Sequence, residues 1–199
     1  MSLVIVDSGG ANLASVRIAL QRLGVDAPLT RDPATIAAAG RVLLPGVGAA
    51  APVMQRLREN GLIEVLRGLR QPLLGICVGM QVLFERLTEG DCDGLGLLPG
   101  AVERMRPAEG IRIPHMGWNR LRRQGESPLL DGIEDGSHAY FVHSYAVDTG
   151  SDCVARFEHG GAYAALVQRG NVAGAQFHPE RSAGVGERLL RNFLAWQPT

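Results

Sequence analysis

This chain predicts an α/β fold: an open, mostly parallel twisted sheet, flavodoxin-like in outline, with helices on both faces and additional short antiparallel strands in its second half. Three observations carry that expectation. Apolar runs of strand length alternate with helical stripes through the first half. One such run ends in Gly75-Ile76-Cys77-Val78-Gly79 and passes straight into a helical pattern. The second half is a series of short strand-like runs separated by turn residues.

Leu3–Val6 reads as a buried strand. Leu13, Val16, Leu20 and Leu23 then share one helical stripe, with Asn12 placed to cap it. Val25–Leu29 reads as a second strand and Arg41–Leu44 as a third, followed by a loop, Pro45-Gly46-Val47-Gly48. Helices are expected over Pro52–Glu59 and Leu62–Leu69, leading to the strand that ends at Cys77. This alternation implies parallel strands with right-handed crossovers, hence a doubly wound sheet. Met80, Leu83, Phe84 and Leu87 stand at i, i+3, i+4 and i+7 and predict a helix after Cys77. Further strands are expected at Ala101–Met105, Trp118–Leu121, Ala139–Val142, Cys153–Phe157, Ala164–Gln168 and Val172–Gln176. The chain closes with an amphipathic helix whose apolar face holds Leu189, Leu190, Phe193 and Leu194.

A chain of 199 residues is consistent with one domain over 1–199, and there is no repeat, low-complexity tract or linker. Lys plus Arg equals Asp plus Glu at 20 each, which argues against bulk attraction to nucleic acid or anionic membrane. Three widely spaced cysteines, with no C-x-x-C, make neither a disulfide framework nor a zinc site. A reducing, cytoplasmic setting fits. The first apolar run is too short for a signal peptide, and Val42–Met54 is too short and too interrupted by Pro and Gly to span a membrane.

A strand that turns sharply into a helix with a nucleophilic side chain at the corner is the backbone device of the nucleophile elbow. Gly75 and Gly79 remove side chains that would crowd it, and a helix start favours thiolate at Cys77. Cys92 and Cys153 read as small core residues. A thiolate needs a base, and the base an orienting group. His178 and Glu180, in Gln176-Phe177-His178-Pro179-Glu180, are two apart in extended chain and so point to one side. Val78 offers an amide for an oxyanion, and the Pro45–Gly48 loop, through Val47, the second. That loop lacks the lysine of a phosphate loop. His159 and His138 read as turn and strand-start residues. No histidine pair has metal-ligand spacing, so no metal is expected.

These residues resemble a known family, the class I, triad-type glutamine amidotransferases. Gly75–Gln81 resembles its nucleophile segment and Phe177–Glu180 its histidine–glutamate segment. Leu44–Ala49, Pro114–Asn119 and Tyr140–Tyr145 resemble, more narrowly, the glutaminase subunits of imidazole glycerol phosphate synthase in histidine biosynthesis. The resemblance implies a Cys77, His178 and Glu180 triad that hydrolyses glutamine. It also implies an oxyanion hole from the Val47 and Val78 amides, and glutamine positioned by Gly48, Gln81, Ser144 and Tyr145. The partner it implies is a (β/α)8-barrel cyclase, which receives the ammonia and faces Asn12, Trp118 and Arg181; it implies no cofactor. Two departures fall on that face: Asp7–Asn12 lacks the family's bulkier residue, and Arg181 stands where lysine is common. Three other readings are a peptidase-like cysteine hydrolase, a silent interaction module and an amidotransferase of anthranilate synthesis. The Gln81 and Ser144-Tyr145 pocket, the complete triad, and the His115–Asn119 and Tyr140–Tyr145 segments argue against them in turn.

Overall fold

The computed structural model describes residues 2–9 and 13–198. Asn12, expected to cap the first helix and to face a partner, lies outside the described residues, as do Gly10 and Ala11. In chain order the elements are β1 (Leu3–Val6), α1 (Leu13–Arg22), β2 (Leu29–Thr30), α2 (Pro33–Ala38), β3 (Arg41–Gly46), α3 (Ala50–Glu59) and α4 (Leu62–Arg67). Then come β4 (Leu73–Cys77), α5 (Val78–Gln81), β5 (Phe84–Leu87), β6 (Cys92–Asp93), β7 (Leu98–Arg104), β8 (His115–Arg120) and β9 (Arg122–Arg123). The last are β10 (His138–His143), β11 (Tyr145–Ala146), β12 (Cys153–Glu158), β13 (Ala162–Arg169), β14 (Val172–Ala175) and α6 (Ala183–Ala195).

The main sheet runs β2-β1-β3-β4-β14-β13-β12-β9. It is parallel from β2 to β14 and antiparallel from β14 to β9. Strands β1, β3, β4 and β14 are buried along their whole length, which is why they read as unbroken apolar runs rather than alternating ones. Helices α2, α3 and α4 pack together on one face, while α1 and α6 meet the turn after β14 on the other. Arg41, buried at the start of β3, donates to the Phe193 and Trp196 carbonyls and so ties the sheet to the end of α6. Two small ribbons, β10-β8 and β11-β7-β5-β6, stand beside the main sheet.

Several expected boundaries move. The second strand is Leu29–Thr30, not Val25–Leu29, and helix α2 was not anticipated; Asp32 caps it by accepting from the Thr35 amide at 2.9 Å. Strand β3 runs on through Pro45 and Gly46, which pair with Ile76 and Cys77, so the loop shrinks to its Val47-Gly48 end. The largest correction concerns the helix after Cys77. It is a single turn, and Phe84–Leu87 is strand β5 instead. The 95–98 segment supplies the reason: its amides donate to the Val82, Leu83 and Phe84 carbonyls at 2.7–3.1 Å, occupying the acceptors a continuing helix would need. A one-turn helix brings first-turn N–H groups rather than a macrodipole to bear on Cys77.

That turn exists because three backbones nearly touch. A Cβ on Gly79 would sit 1.7 Å from the Leu44 oxygen, one on Gly46 2.6 Å from the Gly79 nitrogen, and one on Gly75 2.4 Å from the Gly79 oxygen. All three are main-chain atoms, of β3 or of α5, so none can yield by a side-chain shift. Gly79→Ala should therefore destabilise the fold by on the order of 3 kcal/mol or more. Gly184→Ala, in open space in the first turn of α6, should be neutral or stabilise by about 0.5–1 kcal/mol. Thermal melts of the two variants against the parent check the contrast.

Candidate active site

Strand β4 delivers Cys77 to the sheet's carboxyl edge, where open parallel sheets form their sites. Cys77 has φ 55° and ψ −114°, a strained backbone that lifts its side chain out of the sheet plane. The neighbouring strand β14 ends one residue before Gln176, and the chain continues through Phe177 to His178. The His178 amide donates to the Tyr140 carbonyl at 2.9 Å, while the Ser182 hydroxyl bridges the His178 carbonyl and the Tyr140 amide at 2.7 and 2.9 Å. The 178–182 turn is thus fastened to β10.

His178 Nδ1 lies 2.7 Å from Glu180 Oε1, with side chains 4% and 1% exposed. Burial alone pulls the imidazolium down, but hydrogen bonds to Cys77 and Glu180, reinforced by their charge, outweigh it and raise its pKa to about 10. The triad is assembled, with the imidazole bound to the carboxylate on one side and facing the sulfur on the other. Gln176, fully buried, points Nε2 at Cys77 Sγ from 3.9 Å, and its Oε1 accepts from Gln81 Nε2 at 3.0 Å. Gln81 Nε2 also donates to the Tyr145 carbonyl at 2.9 Å.

Cys77 opens onto a cavity of about 300 Å³. Val47, Gly48, Val78, Gln81, Ser144, Tyr145 and His178 all line it. Every residue expected to form the oxyanion hole or hold the substrate is therefore at one cavity, with Glu180 behind His178. The cavity wall also holds Glu89, Pro114, Val142 and His143, which the sequence reading did not assign. Gln176 was legible in principle, being two residues before His178 in extended chain. Glu89 sits in a turn with no pattern to mark it; its carboxylate accepts from the Ala50 amide at 2.8 Å.

Trp118 and Arg181 meet around Tyr140 on the outer face of β8 and β10. Trp118 is 54% exposed, its ring edge-on to Tyr140 at 5.9 Å, and the Arg181 guanidinium lies 4.5 Å over the Tyr140 ring. Met116, on the same strand, is 65% exposed. Trp118 is therefore not a core tryptophan. Arg181 is less of a departure than it looks, because all 20 basic side chains of this chain are arginine.

A cysteine–histidine–glutamate set at the carboxyl edge of a doubly wound sheet has the geometry of a cysteine-nucleophile hydrolase site. Residues 4–196 match the family described as glutamine amidotransferase class-I, and the chain belongs to that family. It is 60% identical over 190 residues to the imidazole glycerol phosphate synthase subunit HisH of Xanthomonas euvesicatoria pv. vesicatoria (strain 85-10), covering 96% of this chain and 95% of that protein. The subunit of the same name from Xylella fastidiosa (strain Temecula1 / ATCC 700964) is 58% identical over the same shares. Among solved structures, one described as a glutamine amidotransferase superposes with TM-score 0.75 at 25% identity, covering 98% of both chains. PurLQS from Thermotoga maritima shares the fold, with TM-score 0.70 at 21% identity over 98% of this chain and 97% of that one.

The three cysteines should differ sharply in reactivity. Burial raises Cys92 and pushes Cys153 up to about 11, so both are protonated at neutral pH, whereas Cys77 faces an imidazolium. Brief treatment with iodoacetamide at pH 7.5, followed by peptide mass mapping, should find alkylation at Cys77 well before the other two. Faster modification of Cys92 or Cys153 would contradict the assignment.

Proposed function

We propose that this chain is the glutaminase subunit of an imidazole glycerol phosphate synthase. The observation that carries the reading is the buried His178–Glu180 pair set against a strained Cys77 at the mouth of a cavity of about 300 Å³. The 58–60% identity to subunits of that name over nearly the full chain supports the choice of pathway.

In this reading the Cys77 sulfur attacks the side-chain amide carbon of glutamine, and the Val47 and Val78 amides receive the oxyanion. The His178 imidazolium gives its proton to departing ammonia. A γ-glutamyl thioester remains on Cys77. His178, now neutral, takes a proton from water, and the resulting hydroxide releases glutamate and restores the sulfur. Glu180 keeps Nδ1–H directed away from the sulfur throughout. Both hydrogens of Gln81 Nε2 are spent on Tyr145 and Gln176, so what Gln81 offers substrate is its carbonyl oxygen. That acceptor and the Glu89 carboxylate suit the α-ammonium of glutamine. The ammonia goes to a (β/α)8-barrel cyclase docked over Trp118, Tyr140 and Arg181. There it reacts with a phosphoribulosyl carboxamide nucleotide, giving imidazole glycerol phosphate and an aminoimidazole carboxamide ribotide.

The test is steady-state glutamate release by the chain alone and with the cyclase carrying its nucleotide ligand. The Val47-Gly48 loop after β3 holds Gly48 at φ 85°, a glycine hinge beside the Val47 amide. A mispointed Val47 amide would cost about 10²–10³ in rate. Weak activity alone, strong activation by the liganded cyclase, and none with Cys77→Ala are expected.

The His178 value sets a pH dependence. The proton donor is present below about 10 and is lost as pH rises through it. Glutaminase kcat/KM should therefore persist through neutral pH and fall near pH 10. Glu180→Gln, which keeps a hydrogen bond but no charge, should move that limb down toward the ordinary histidine value of 6.5. The folded pKa lies above the unfolded one, so the stability His178 contributes is full below about 6.5 and fades as pH climbs toward 10.

Trp118→Ala tests the docking face. Aromatic anchors often carry about 2 kcal/mol or more of an interface, while an exposed side chain adds little to folding. The variant should bind the cyclase at least about tenfold more weakly, by titration calorimetry, with its melting temperature little changed.

A further inference from the structure

Four histidines remain that the proposed chemistry does not use, and two of them, His115 and His143, are buried at or beside the cavity. His143 lines it between Val142 and Ser144, and His115 faces His143 across the β8–β10 ribbon, where the two are register partners. His115 is stacked against Phe141, Phe157 and His159, with centroids 5.0, 5.2 and 4.0 Å away. Four polar contacts join this group: His143 Nδ1 to the Tyr145 carbonyl at 2.8 Å, His115 Nδ1 to His143 Nε2 at 3.4 Å, Asn119 Nδ2 to His115 Nε2 at 3.3 Å, and Asn119 Nδ2 to the Glu158 carbonyl at 2.8 Å.

The direction of every bond follows from its ends. A carbonyl only accepts, so His143 Nδ1 carries a hydrogen. In a neutral ring His143 Nε2 is then an acceptor, and His115 Nδ1 must donate to it. His115 Nε2 is left as an acceptor for Asn119 Nδ2, whose second hydrogen goes to Glu158. The relay closes with no spare donor and no clash, provided both rings are neutral. Burial, the largest cause in both, brings His143 to about 3 and His115 to about 4, so both rings are neutral at any working pH. The relay ends on a carbonyl that Gln81 also grips. The adjoining Ser144 carbonyl accepts from the Met105 amide at 2.9 Å. The Ser144-Tyr145 segment is thus held at both residues.

We propose that His143, locked in one neutral tautomer by His115 and Asn119, is a positioning residue that fixes the Ser144-Tyr145 segment for glutamine binding. Both its ring nitrogens are committed within the protein, so it acts through that segment rather than by contact with the reacting atoms. The proposal rests on the glutaminase reading and adds a residue to it. The relay also starts at Asn119, next to the exposed Trp118 on β8, so the Ser144-Tyr145 segment and the docking face share one support.

The test compares two labels for Cys77, read by mass mapping on the whole chain. A diazo-ketone analogue of glutamine must first occupy the glutamine site. Iodoacetamide needs only the sulfur. His143→Leu removes the Nδ1 donor and should slow analogue labelling by about tenfold or more, the cost of an unmade bond to a buried acceptor. Iodoacetamide labelling should stay unchanged. His143→Asn places an amide N–H where Nδ1–H was and should restore analogue labelling. His143→Gln, polar and closer in length, places its amide at the Nε2 end and should not. It keeps the test decisive should His143→Leu fail to fold. Equal analogue labelling in the parent and His143→Gln would overturn the proposal, as would parallel loss of both labels in every variant, His143→Asn included. Failure of the parent itself to take the analogue while taking iodoacetamide would instead bring down the glutaminase reading, and the positioning role with it.

Discussion

The place of β4 between β3 and β14 is the constraint on which the rest depends. Parallel pairing on both sides brings three chain segments out of the sheet at one edge: Val47-Gly48 after β3, Val78 after β4 and Gln176–Glu180 after β14. The Gly46–Cys77 and Ile76–Ala175 pairings fix how far each segment emerges. A slip of one residue would turn every side chain to the opposite face and separate sulfur from imidazole. The register is held by the backbone contact at Gly46, Gly75 and Gly79, where no larger residue fits. The nucleophile and its base are thus set by main-chain geometry before any side-chain contact is made.

Burial acts alike on three histidines at and behind the cavity, yet their protonation differs. His178, His143 and His115 are all 3–7% exposed, and burial drives each toward the neutral ring. His178 resists because a carboxylate and a sulfur face it, so it holds its proton well above the usual range. His143 and His115 face a carbonyl, an amide and each other; the Tyr145 carbonyl favours a charged His143, but burial outweighs it. The same residue type serves as proton carrier in one setting and as fixed strut in the other, and the neighbours decide which. A neutral His143 also spares the His178 imidazolium a second buried charge beside it.

Much of this was legible in the sequence, for identifiable reasons. The alternation of apolar runs gave the doubly wound half, because strands covered on both faces must be apolar throughout. Cys77 stood out because its glycines have a steric purpose, and His178 and Glu180 because extended chain puts residues two apart on one side. Two kinds of feature stayed hidden. Met80, Leu83, Phe84 and Leu87 obey a helical period, yet the chain forms one turn and a strand there, because the 95–98 amides claim the carbonyls first. No local pattern records a hydrogen bond to a segment that arrives later in the chain. The short pairings of β6, β9 and β11, two residues each, likewise leave too little sequence to mark them. Glu89 and the His115–His143 relay depend on tertiary contacts alone, and helix α2, with Asp32 and Pro33 at its start, was missed although its cap was in view.

The most direct test of the account is to catch the covalent intermediate it requires. The chain with its liganded cyclase partner would be acid-quenched during turnover of glutamine and mapped by peptide mass. The account predicts a γ-glutamyl group on the peptide holding Cys77 and on no other, absent from Cys77→Ala. Glutamate release with no adduct on Cys77, or with an adduct on a different residue, would contradict it.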